Sequence, residues 1–284
     1  MNKPLSFLAI AVMITSLLPV PASWAYQEIE VKDGGSIKGK AVLIGEIPQP
    51  RVYHLILFPN IDMCAEVDTD DEMNRLLHDF TTDSSGGLKN VVIALDQVDA
   101  GKPFNKSTFT IHSENCKFMP EVNPVKQGET FKVDNLDAVM HNSQVYQSER
   151  GKIIENLPIP PESTTDVEVQ FQKNFKIFQM ICGMHEFMQT WGYRVQNPYY
   201  AITGADGTFS IDNIPPGEYD VTAWHYLMKP TTTRIKVESN SQIALNFEFA
   251  GKKVVRPLYE TIKSGRIKKD AAVPGSAKGT EVGK

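Results

Sequence analysis

Short β-branched and aromatic runs recur along this chain, each bounded by glycine, proline, asparagine, aspartate or serine. They occupy residues 36–44, 52–58, 90–96, 107–112 and 130–135, then 165–171, 175–181, 207–211, 219–224, 233–238 and 243–247. Strands this short, separated by turn signals, bury one face each against a second sheet, so the pattern predicts β-sandwiches. One segment departs from it. Residues 66–80 are acidic and then place Met73, Leu76, Leu77 and Phe80 at near-helical spacing, which predicts a short surface helix. Its Asp68, Asp70, Asp71 and Glu72 lack the glycine and closing glutamate of a calcium-binding loop and are expected to be solvated.

The compartment is read from the first residues. Lys3 precedes an apolar run over residues 5–20, and Ala22-Ser23-Trp24-Ala25 follows as a small-residue cleavage site. This predicts a secretory signal over residues 1–25 and a mature chain that is periplasmic or secreted. An uncleaved anchor is the alternative, but Thr15, Ser16 and Pro19 interrupt the run, which is short for a span of about 20 apolar residues. The charge balance of 29 basic against 34 acidic side chains argues against a nucleic-acid partner. Residues 251–284 are by contrast basic and rich in lysine, glycine and alanine, so this tail is expected to be partly disordered, either solvated or steering an acidic partner.

Three cysteines occur, and an odd count in a secreted chain sets one thiol aside for a separate task. Cys182 is that one. Cys64 and Cys116 are expected to form a disulfide, although two unpaired buried thiols also satisfy the count. Cys182, His185 and Met188 stand at C-x2-H-x2-M spacing, and His141-Asn142 lies upstream at the mouth of an element that follows an alternating strand. A soft thiolate, two borderline imidazoles and a weak thioether suit copper in both oxidation states. The other histidines lack such company. His54 and His112 fall in expected strands and His78 in the expected helix, which reads as structural or solvent-facing, while His225, directly after Trp224, reads as a pocket-lining residue without the partner that catalysis would need. No cluster of acid, base and nucleophile suggests an enzyme.

From residue 108 to 196 the chain resembles a cupredoxin, closest to amicyanin in its short ligand loop and to amicyanin and plastocyanin in its His-Asn pair. The resemblance implies one type 1 copper ion, with His141, Cys182 and His185 as equatorial ligands and Met188 as the axial one. Asn142 would hydrogen-bond the His141 segment to the Cys182 loop. The implied function is single-electron transfer with a redox partner such as a cytochrome or a periplasmic oxidoreductase. A copper-delivery protein and a metal-free binding module are the alternatives. Met140 and Ile181 stand where the family commonly has proline and an aromatic residue. Met140, Met180 and Met184 read as an adaptable apolar collar.

Residues 199–221 carry an Asp206-Gly207 turn and a Pro215-Pro216-Gly217 turn, with Phe209, Ile211, Tyr219 and Val221 alternating inward. This stretch resembles a carboxypeptidase regulatory-like, transthyretin-like β-sandwich. Residues 199–249 supply too few strands to stand alone, so residues 35–42 and 86–95 are expected to complete the sandwich. The expected fold is therefore all-β: a Greek-key cupredoxin sandwich over residues 106–196 and a second, discontinuous transthyretin-like sandwich. Residues 26–105 and 197–250 would build the latter.

Overall fold

The computed structural model describes residues 26–105, 109–147, 152–170 and 175–255, so the expected signal over 1–25 and the tail from 256 onward lie outside the described residues. The chain opens with β1 (Gln27–Glu28), β2 (Gly35–Ile44), β3 (Arg51–His54), β4 (Asn74–Leu77), β5 (Val92–Asp96) and β6 (Ala100–Gly101). It continues with β7 (Thr110–Glu114), β8 (Lys117–Met119), β9 (Val122–Val125), β10 (Thr130–Asn135) and β11 (His141–Gln147). Next come β12 (Lys152–Ile159), β13 (Ser163–Glu168), β14 (Ile177–Cys182) and β15 (Gln189–Arg194). The last strands are β16 (Tyr200–Ile202), β17 (Thr208–Ile214), β18 (Gly217–Trp224), β19 (Thr231–Val237), β20 (Gln242–Ala244) and β21 (Phe247–Ala250). The fold is an all-β sandwich architecture. Among the described residues, no helix is long and apolar enough to cross a membrane.

Two sheets, β13-β10-β7-β8 and β12-β11-β14-β15-β9, form the central sandwich. Ile111, Phe131, Val133, Val145, Phe178 and Met180 fill it. Strand β11 shows the one-sided alternation of a half-covered sheet, burying His141, Ser143, Val145 and Gln147. Strand β14 instead is buried continuously from Phe178 to Cys182. The outer face of its sheet is covered too, because Val122, Trp191, Tyr193 and Val195 pack into the neighbouring sandwich's core. Gly192 is required here: a Cβ at that position would lie 1.8 Å from Phe178 Cε1.

The flanking sandwich is built from β16-β5-β18-β19 and β17-β2-β20, with β21 also on β2. Its strands come from both ends of the chain. Lys40 of β2 pairs with Thr208 of β17, and Ala94 of β5 pairs with Thr222 of β18. Ile37, Ile93, Phe209, Ile211, Val221 and Phe247 lie in its core. The two sandwiches meet through the stacked rings of Trp191 and Tyr226, 5.4 Å between centroids, and a 2.7 Å ion pair between Lys176 and Asp96.

Residues 66–80 do not form the expected helix. Asp70 Oδ1 accepts hydrogen bonds from the backbone N–H groups of Glu72 and Asn74, at 3.0 and 2.9 Å, and Met73 takes a left-handed φ of 61°. These local carboxylate bonds compete with helical hydrogen bonding. The chain turns instead into β4, which pairs with β3 in antiparallel register from Arg51↔Leu77 to His54↔Asn74. The strand expected over 52–58 is correspondingly short, giving way after His54 to a 3₁₀ turn (Leu55–Leu57) and a single helical turn, α1 (Ile61–Cys64). His78 lies just past β4, exposed. A disulfide between Cys64 and Cys116, 2.06 Å between sulfurs, joins α1 to the turn between β7 and β8.

Candidate metal centre

Cys182 ends β14, and the six residues after it fold into a tight loop before β15. The loop is closed by its own backbone. Cys182 N–H donates to Met188 O at 3.0 Å, Met188 N–H to His185 O at 2.8 Å, and His185 N–H to Cys182 O at 3.2 Å. His141 reaches the same place because β11 runs antiparallel beside β14, with Ser143 opposite Cys182. The sheet thus brings together residues 41 positions apart.

His141, Cys182 and His185 are all fully buried, and their donor atoms lie within 4.8 Å of one another. Cys182 Sγ is 3.7 Å from His141 Nδ1 and 3.6 Å from His185 Nδ1. Ligand bonds of about 2.0–2.3 Å, opening at trigonal to tetrahedral angles, separate sulfur and nitrogen donors by roughly 3.6–3.8 Å, so the spacing fits one metal ion. Met188 is 1% exposed and packs in the same core as Cys182. Asn142 spans the two segments: its N–H donates to Cys182 Sγ at 3.4 Å, and its carbonyl accepts from Gly183 N–H at 3.1 Å.

Two partners escaped the sequence reading. His141 Nε2 is 2.7 Å from the buried Asp137 carboxylate, which also accepts from Ser113 Oγ and from the N–H groups of Asn115 and Cys116. His185 Nε2 is 3.1 Å from the Pro59 carbonyl, contributed by the segment between the 3₁₀ turn and α1. A carboxylate and a carbonyl can only accept, so each Nε2 carries hydrogen and each Nδ1 is the atom turned toward sulfur. The i, i+4 spacing of Asp137 and His141 was a signal in the sequence; Pro59 left none.

Burial pushes the Cys182 thiol up, but hydrogen bonds with His141 and His185 and with the N–H groups of Asn142 and Met184 outweigh it and hold its pKa at about 6. Burial also opposes charge on His141, yet the bonds to Asp137 and Cys182 raise it to about 9. Burial would raise Asp137 as well, and its hydrogen bonds to His141, Cys116 and Ser113 hold it below the usual carboxylate range instead. The pocket therefore stabilises a thiolate beside a protonated imidazole, and that proton is what a bound cation would displace.

The other methionines divide. Met180 is buried in the core, whereas Met140 and Met184, next to two of the donors in sequence, are 47% and 37% exposed. Of the remaining histidines, His54 and His112 are exposed on β3 and β7. His225 is fully buried away from the donors, its Nε2 3.1 Å from the Asp79 carbonyl.

The family model described as polysaccharide lyase family 4, domain II, matches residues 169–245. That is a different family from the carboxypeptidase regulatory-like one expected over residues 199–221, and the match runs from β14 and β15 into the flanking sandwich. No curated protein matches the chain in sequence. Solved structures similar to part of it include cupredoxins. A purple cupredoxin from Nitrosopumilus maritimus is 18% identical over 30% of this chain and 97% of its own, with a TM-score of 0.25. Amicyanin from Paracoccus versutus is 14% identical over 32% of this chain and 84% of its own, with a TM-score of 0.27. A copper-containing nitrite reductase from Thermus scotoductus SA-01 is 14% identical over 34% of this chain, with a TM-score of 0.28; the chain spans 24% of that enzyme's length.

Proposed function

We propose that His141, Cys182 and His185, with the thioether of Met188, hold one type 1 copper ion, and that the protein carries single electrons between redox proteins outside the cytoplasm. A cytochrome or a periplasmic oxidoreductase fits the role of partner. On this reading the protein turns over no substrate and is not an enzyme. Bound copper supplies a one-electron couple whose potential follows the axial ligand and the apolar, hydrogen-bonded shell.

One observation carries the reading: Asp137 and Pro59 engage both Nε2 atoms and so orient both Nδ1 atoms onto the Cys182 sulfur. Asn142 N–H steadies that sulfur from the β11 side. Donors held this way, at 0% exposure, move little when the charge of a bound ion changes, which suits electron transfer. Strand pairing supports a discontinuous flanking sandwich in which β2 and β5 of residues 26–105 join the strands of residues 197–250 around the inserted residues 106–196. Strands β3 and β4 instead pair with each other, and the segment between them packs into the central core.

A second reading, copper delivery, draws on the exposed thioethers of Met140 and Met184, soft groups placed beside buried ligands. The test is to add Cu(II) to the purified mature protein and record the visible spectrum. An intense thiolate-to-copper band that disappears in Cys182→Ala is the expected result; no such band under full metal loading overturns the assignment. Rapid loss of the ion to an apo acceptor protein would favour delivery over electron transfer.

A further inference from the structure

A cavity of about 300 Å³ opens between the two sandwiches and the β3–β4 segment. Arg51, Arg75, Lys89, Lys117, Gln189 and Tyr226 are among the residues lining it. Arg75 is the unusual member. Its side chain is 1% exposed, yet among the described residues no carboxylate forms an ion pair with it. Its Nη2 donates to the backbone carbonyls of Cys64 and Asn115, and its guanidinium carbon lies 4.9 Å from the centre of the Phe187 ring. Its Nε is buried with no partner at all.

A guanidinium removed from water without a counter-charge is among the costliest arrangements in a protein interior. Asp68 and Asp137 favour the Arg75 charge from a distance, but no acid around this cavity makes an ion pair with it among the described residues. Asp79 is held by Arg51 at 2.7 Å, Asp68 by Lys117 at 2.9 Å, and Glu121 accepts from Asn90 Nδ2. Lys89, half-buried at the rim, has no side-chain partner among the described residues. Two cations thus face one cavity with no carboxylate in direct contact with either among the described residues, and its volume is several times the roughly 30 Å³ share of a water molecule.

We propose that this cavity binds one small oxoanion, seated on Arg75 and closed from the rim by Lys89. Both Nη2 hydrogens are given to carbonyls, so the anion is taken by the unpartnered Nε, whose charge-assisted N–H bond suits a carboxylate or a tetrahedral oxoanion. The site shares none of the four proposed copper ligands, so it stands or falls independently of the copper reading.

The experiment follows the side-chain Nε–H resonance of Arg75 by NMR in the mature protein, assigned by its loss in Arg75→Lys. Sodium sulfate and sodium acetate are titrated separately at fixed ionic strength. A saturable one-site shift is expected with at least one of them, and which one identifies a tetrahedral or a planar ligand. Lys89→Glu, which alters only the rim, should weaken that binding by about tenfold or more. Absence of a saturable shift with both anions, or binding by Lys89→Glu equal to that of the unaltered protein, would overturn the proposal.

Discussion

Asp137 Oδ2 lies 2.7 Å from His141 Nε2, with the two side chains 2% and 0% exposed. The carboxylate does more than steady one ring. Through Cys116 N–H it is tied to the disulfide partner of Cys64, and so to the segment whose Pro59 carbonyl holds His185. Both imidazoles are therefore oriented from one connected piece of structure outside the ligand loop.

In Asp137→Asn an amide N–H can face His141 Nε2, which favours the tautomer with hydrogen on Nδ1, the atom facing sulfur. Copper affinity is expected to fall about 10–100-fold, measured by competition with a chelator of known affinity. Asp137→Ala also leaves the Asn115 and Cys116 N–H groups and the His141 ring without their buried partner, and should cost roughly 3–5 kcal/mol in urea unfolding.

Arg51 grips Asp79 with Nε at 2.7 Å and Nη2 at 2.8 Å, in a pair with side-chain exposures of only 5% and 8%. Arg51→Met strands the carboxylate and should destabilise the protein by roughly 3–5 kcal/mol. The double variant Arg51→Met/Asp79→Leu should recover most of that loss, because replacing both members of a buried pair removes the stranded charge. Chemical unfolding of the two variants side by side checks this.

His225 supplies a pH dependence. Its Nδ1 accepts from Leu227 N–H at 3.3 Å while Nε2 faces the Asp79 carbonyl, so the native structure uses the neutral ring. Burial lowers its pKa from the ordinary 6.5 to about 4. Between those values the unfolded chain binds a proton that the folded chain refuses, so stability falls as pH drops through that window and this contribution levels off below about 4. The full loss is on the order of 3 kcal/mol. His225→Gln should flatten the dependence between pH 6.5 and 4 in denaturant unfolding.

Gly192→Ala would drive a methyl group to within 1.8 Å of Phe178 Cε1 in the centre of the five-stranded sheet. Overpacking of this kind costs about 1–3 kcal/mol when neighbours can shift. A thermal midpoint lowered by several degrees is expected, and Phe178→Leu in the same chain should relieve part of it.

Much of the site's chemistry was legible locally. Cys182, His185 and Met188 lie in one loop, and the loop's own backbone bonds set their spacing. His141 could be named from its residue type and from the alternating strand before it. The roles of Asp137 and Pro59 were harder to see, because a carboxylate and a backbone carbonyl become acceptors for particular rings only when distant segments meet. The expected helix over 66–80 failed for a related reason: Met73, Leu76, Leu77 and Phe80 have helical spacing, but Asp70 captures the N–H groups a helix would need.

The sequence alone determined the all-β class, through strand runs and turn residues whose conformational preferences act over a few neighbours. It also singled out Cys182 by cysteine count and located the donor loop. Only the tertiary structure decided which strands pair across the chain, how β3, β4 and α1 come to supply a hydrogen-bond partner for His185, and why Arg75 is buried with no direct ion pair among the described residues. Those outcomes depend on packing between segments far apart in sequence, where the cost of unpaired polar groups is set by the whole fold.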